Sequence, residues 1–227
     1  MIDQAMIHPK DELPRIFQAN LFRFYERVVA AAFDNLLEPP PLEFGDVDTI
    51  DVYLDRAAAQ VDAHTRNEAA KAFVLTTAGL FERQLRHWAR HLFGHARLPG
   101  VRTQGFEALL MDCLQEAGVD GSSDDVAPDL IEAFLVANVV RHGDGRASTK
   151  LRAAAPRLWT YDRTEYVDIN AGQSPDSEQI RIRSDDVKRY VRAGLRFWGA
   201  SIHSRWRPRN RRFSAPGVRK RHSAFPA

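Results

Sequence analysis

The chain has 227 residues, 44% of them hydrophobic and 27% charged, with a formal net charge of +2 and one cysteine, Cys113. That is ordinary globular composition, long enough for one sizeable domain, and a lone cysteine excludes a disulfide framework within the chain. No run approaches the roughly 18 to 20 apolar residues of a membrane span, and Met1-Ile2-Asp3-Gln4 opens no secretory signal, so a cytoplasmic protein with no membrane contact is expected.

Leu13, Ile16, Phe17, Leu21, Phe24, Val28, Ala32 and Leu36 recur with the helical period and predict a long first helix. Glu38-Pro39-Pro40-Pro41 should stop it, because consecutive prolines cannot continue a helix. A second helix is expected from Ile50 to about Asp62 and a third from about Arg66 to Phe93, ending at Gly94. Pro99-Gly100 reads as a turn, and Phe106 to Ala117 as a fourth helix stopped by Gly118. Cys113, among Leu109, Leu110 and Leu114, is expected to be a buried thiol. Residues 121–125, Gly-Ser-Ser-Asp-Asp, supply N-cap candidates for a helix running to His142.

After Gly143-Asp144-Gly145 the pattern changes. Leu158 to Tyr161, Tyr166 to Ile169 and Ile180 to Arg183 are rich in aromatic and β-branched residues, which predicts two or three short strands. Ser184-Asp185-Asp186 then opens a last helix with Val187, Tyr190, Val191, Gly194, Leu195 and Trp198 on one stripe. The expectation is a mainly α fold: an up-and-down bundle of four to five helices with a small β-hairpin at about 158–183.

The near-neutral charge hides an asymmetry. Residues 203–227 carry eight Arg or Lys and no acid, leaving 24 basic against 30 acidic residues in the remainder. The predicted organisation is a helical domain over 1–202 and a disordered basic tail over 203–227. Arg205, Arg207, Arg209, Arg211 and Arg212 of that tail are candidate nucleic-acid contacts, since clustered cations release counterions from phosphates.

Several chemistries find no motif. No phosphate-cradling glycine loop and no Gly-x-Ser-x-Gly elbow is present. His87, His91 and His95 have metal-ligand spacing, but Arg83, Arg86, Arg90 and Arg97 crowd them, so the reading is a solvated basic face, with no metal and no cofactor. Glu82 stands one turn before Arg86, where an exposed ion pair is the default and an acid at the edge of a buried stripe the alternative.

The richest stretch runs from Ile131 to Gly145. On a helix Ile131, Leu135, Asn138 and His142 share one stripe, with Phe134, Ala137 and Arg141 beside it, so an apolar face ends in Asn138, Arg141 and His142. Either the two cations simply finish the helix, or the three suit phosphodiester cleavage. In the second case His142 moves a proton, Arg141 holds the phosphate and Asn138 orients the reacting groups.

Ala137-Asn138-Val139-Val140-Arg141-His142-Gly143 resembles the motif of the HEPN superfamily, an Arg followed four to six residues later by His, often starting Arg-Asn and ending His-Gly. Asn138 and His142 stand in the Asn and His places, while Ala137 holds that of the leading Arg. The helix carrying Phe81-Glu82 resembles the family's earlier core helix, so the likeness covers about residues 66–145; Arg90 and His95 match the spacing as a second choice. The resemblance implies a metal-independent endoribonuclease of toxin–antitoxin or antiphage type, with catalytic His142, Arg141, Asn138 and Glu82. It also implies RNA as substrate, a homodimer, and an antitoxin or defence partner. Its alternative is a non-catalytic HEPN-like module binding RNA or a protein.

Overall fold

A computed structural model describes residues 8–167, 175 and 177–203. The fold is mainly helical. The first helix begins with Pro9 at its first position, where the missing N–H costs nothing. It runs as α1 (Pro9–Phe24), a π-helical stretch (Tyr25–Ala30) and α2 (Ala31–Asn35), and Leu36 turns extended ahead of the prolines. Thr49 caps the next helix by accepting from the Val52 N–H at 3.3 Å. The two helices expected next are one, α3 (Ile50–Leu92), 43 residues long. Nothing between Asp62 and Arg66 breaks a helix, and its length of about 64 Å makes it the axis of the molecule.

The Pro99-Gly100 turn is instead part of a short helix, α4 (Leu98–Thr103), with Pro99 tolerated in its first turn. α5 (Phe106–Ala117) ends as expected at Gly118, whose φ of 66° suits glycine. α6 (Val126–His142) begins after a 3₁₀ turn, Ser123–Asp125. Its cap position, Asp125, is left-handed and its side chain caps nothing, contrary to the capping role expected there. Gly143 stops α6 at φ 73°. A helix not foreseen, α7 (Arg146–Ala154), follows at once, and then a 3₁₀ turn, Pro156–Trp159. The last helix, α8 (Ser184–His203), carries Asp185 and Asp186 in its first turn, and Asp186 accepts from the Arg183 N–H at 3.1 Å.

Two expectations fail among the described residues. There is no strand and hence no hairpin, and the helices number seven when the π-interrupted helix is counted once. The Ile180–Arg183 segment forms no strand, and a side chain takes the place of a strand partner. Buried Asn67 on α3 donates to the Ile180 carbonyl at 3.0 Å and accepts from the Ile182 N–H at 2.8 Å. The Arg181 N–H reaches the Leu158 carbonyl at 2.7 Å.

Two apolar clusters share the same long helices. One gathers Leu21, Phe81, Leu85, Trp88, Leu109, Leu130, Phe197 and Trp198; the other holds Val29, Val74, Val136, Val139, Leu151, Ile180, Ile182 and Tyr190. Val74 lies with Val136 and Val139, whereas Phe81 lies with Leu130, so α3 and α6 run antiparallel. No helix among the described residues is long and apolar enough to cross a membrane.

Candidate nucleic-acid interface

α6 is apolar on nearly all sides, and the face it buries is Leu130, Ala133, Val136, Ala137 and Val139. The stripe expected inside, Ile131, Leu135 and Asn138, is only half-buried, and Arg141 and His142 are exposed. Arg141, one turn beyond buried Ala137 on the same stripe, is thus exposed in spite of that place. Arg141 and His142 occupy the last turn, where the negative end of the helix dipole favours cations, and neither joins an ion pair or hydrogen bond among the described residues.

The chain turns at Gly143 and presents more positive charge. Arg146 and Lys150, one turn apart on α7, are both exposed. Arg152 lies over the half-buried Trp159 ring, 5.0 Å from its centroid. The one acid among residues 141–157, Asp144, accepts from the Ser177 N–H at 2.7 Å. The corner joining α6 and α7 is thus a basic surface beside an aromatic ring, and cations so placed suit phosphates.

Glu82 is not part of it. Its carboxylate accepts from Arg86 Nε at 3.0 Å and Nη2 at 2.7 Å, while Arg86 also donates to the carbonyls of Val101 and Gln104. Glu82 therefore anchors the α4 segment. Its neighbour Phe81 shares a small apolar void with Leu130, and twelve residues of helix, about 18 Å, separate Leu130 from His142. Arg205, Arg207, Arg209, Arg211 and Arg212 lie outside the described residues.

The His87 and His91 rings are 5.5 Å apart, and burial, then His87, His8 and Arg90, pushes the pKa of His91 down. Arg90 and His95 are both exposed, the latter beyond the helix end at Gly94. No group of three or more possible metal ligands exists among the described residues. Cys113 is buried and its thiol is pushed up to about 12 by desolvation, as suits an inert core residue.

Sequence reasoning missed the charged lattice around Glu132, which is 9% exposed. Glu132 accepts from Arg157, from Arg189 at 2.6 Å and from the Tyr190 hydroxyl. Arg189 also pairs with Asp129 and, at 3.3 Å, with Asp186; Arg157 meets Asp186 at 3.2 Å. Burial alone would raise the Glu132 pKa, but hydrogen bonds from Arg157, Tyr190 and Arg189 outweigh it and hold the carboxyl below its ordinary value. For Asp129 burial wins over Arg189 and the shift is upward. Desolvation, with Glu132 beside it, pushes Tyr190 far up. A visible signal was present: Asp129 and Glu132 are the two acids of a helix whose first three turns are otherwise apolar, one turn apart.

A cleft of about 520 Å³ lies beside the end of α6, lined by His64, Lys71, Gly143 and Ser177 among others. Its cation is already engaged, since Lys71 donates to Glu68 at 2.7 Å and to the Glu178 carbonyl at 3.0 Å. His64 Nδ1 stands 3.4 Å from the Tyr166 hydroxyl.

The chain matches no protein-family profile, no curated protein and no solved structure.

Proposed function

We propose that the protein is a HEPN-like helical module that binds RNA without cleaving it, through the basic corner where α6 meets α7. The observation that carries this reading is Ala137, 3% exposed against α6's neighbours. It occupies the place of the leading Arg in the motif that the segment resembles, and that place points into the core. Arg141, Arg146 and Lys150 then serve as phosphate contacts, His142 and Asn138 as hydrogen-bonding groups, and the tail arginines as further affinity.

The test is binding of the full chain to single-stranded RNA in EDTA across a salt series. Replacing Arg141 and Lys150 together by Ala should lower affinity and flatten the logarithmic salt slope by about 1.4, since each lost single-strand phosphate contact removes about 0.7. An unchanged slope would remove this surface from the interface.

The second reading, a metal-independent endoribonuclease of toxin–antitoxin or antiphage type, is favoured by the exposure of His142 and its lack of a partner. Cleavage in EDTA that disappears in His142→Ala, with the melting temperature kept, would establish it in place of the first.

A further inference from the structure

A second cleft, of about 420 Å³, opens between prolines 39–41 and the Arg181–Asp185 segment, with Arg66 of α3 also on its wall. Arg181 is only 7% exposed, and its Nε and Nη1 are buried without a hydrogen-bond partner. Its backbone is fixed, the N–H by the Leu158 carbonyl and both flanking residues by Asn67. The Tyr166 ring lies beneath the guanidinium, 5.1 Å away. The nearest carboxylate, Glu165, approaches Nε at 3.5 Å but is taken by Arg183, whose Nε and Nη2 donate to it at 2.8 Å each. Arg66 spends Nη1 on the carbonyls of Phe33 and Leu36, at 3.3 and 2.9 Å. A buried guanidinium with unmade hydrogen bonds is costly, and a native fold that keeps one calls for a partner.

We propose that this cleft is an anion site, in which Arg181 and Arg66 hold the single carboxylate or phosphate group of a small ligand whose apolar body lies against prolines 39–41. Inside the cleft two guanidinia, Arg181 and Arg183, share one carboxylate, Glu165, which leaves a positive charge for the ligand to meet. Glu38 and Asp185 also line the opening, but both are exposed, so solvent and salt screen them. The two guanidinia that would hold the ligand, Arg181 and Arg66, match one oxyanion group, which sets this site apart from the extended RNA surface. No residue is shared with that surface.

The test is thermal unfolding of the full chain titrated with benzoate or with phenyl phosphate, at ionic strength held constant with sodium chloride. The same ring on two oxyanions separates a carboxylate source from a phosphate source. One of them should raise the melting temperature saturably, by about 4 °C at ten times its Kd, and Arg181→Met should lose the response. A flat melting temperature with both probes, or a response that survives Arg181→Met, overturns the site. Should that variant fail to fold, the ¹⁵N resonance of Arg181 Nε in the parent chain decides: a saturable shift supports the site, and an unmoved resonance overturns it.

Discussion

Glu132 shows what one side chain does when a bundle closes over it. It faces Arg157 and Arg189, which are part-exposed, and a buried tyrosine hydroxyl, so its charge is compensated from three sides. Removing one member of such a set costs more than the set contributes, because the remaining charges lose their partner. Glu132→Gln should lower stability by about 2 kcal/mol, the part-exposure of the arginines keeping it below the figure for a fully buried pair. The pH dependence has a definite sign. A carboxyl whose folded pKa is depressed contributes stability that is complete above its ordinary value of 4.5 and is lost as pH falls through the lower, folded value. The stability gap between parent and Glu132→Gln should therefore be constant at neutral pH and close below about pH 4.5, as urea titrations at stepped pH would measure. A gap that widens on acidification would refute the assignment.

At the scale of elements, Asn67 replaces the missing β partner. The two isoleucines of Ile180–Arg183 predicted a strand, but none forms there, and one amide on α3 satisfies the two backbone groups a neighbouring strand would have bonded. Asn67→Ala should leave the Ile180 carbonyl and the Ile182 N–H buried and unmet, at a cost of about 2–4 kcal/mol. In urea the midpoint should fall while the slope stays as in the parent. A midpoint within error of the parent would mean that water or a rearranged backbone takes over. The fusion of two expected helices into α3 belongs to this scale too. Polar residues near Asp62 to Arg66 interrupted the apolar pattern, yet a helix there needs only the absence of glycine and proline once its later half is packed.

At the scale of the whole molecule, α3, α6 and α8 contribute to both apolar clusters and α1 packs against both, so although α5 belongs to the first cluster and α7 to the second, neither can melt without disturbing the shared helices. Unfolding should be a single transition. Trp88 and Trp198 sit in the first cluster, whereas far-ultraviolet circular dichroism reports every helix. Fluorescence and dichroism should give coincident curves in denaturant. In a Trp159→Phe, Trp206→Phe chain, fluorescence that changes ahead of dichroism would show the first cluster melting by itself.

By itself the sequence determined the helical class, the stops at the prolines, Gly94, Gly118 and Gly143, and the acidic opening of α8. These depend on breakers, caps and periodicity acting within a few residues. It also marked the segment 131–145 as the place where apolar surface gives way to Asn138, Arg141 and His142. Tertiary structure alone decided which way α6 faces, because a helix apolar on nearly all sides carries no local sign of its inner face. Ala137 faces inward while Arg141, one turn on along the same stripe, and His142 lie in solvent, and Glu82 went to a different job 18 Å or so along the bundle. The partners of Glu132 lie 25, 57 and 58 residues away in the chain. Contacts at that separation form only when the bundle closes, and no spacing rule along the chain encodes them.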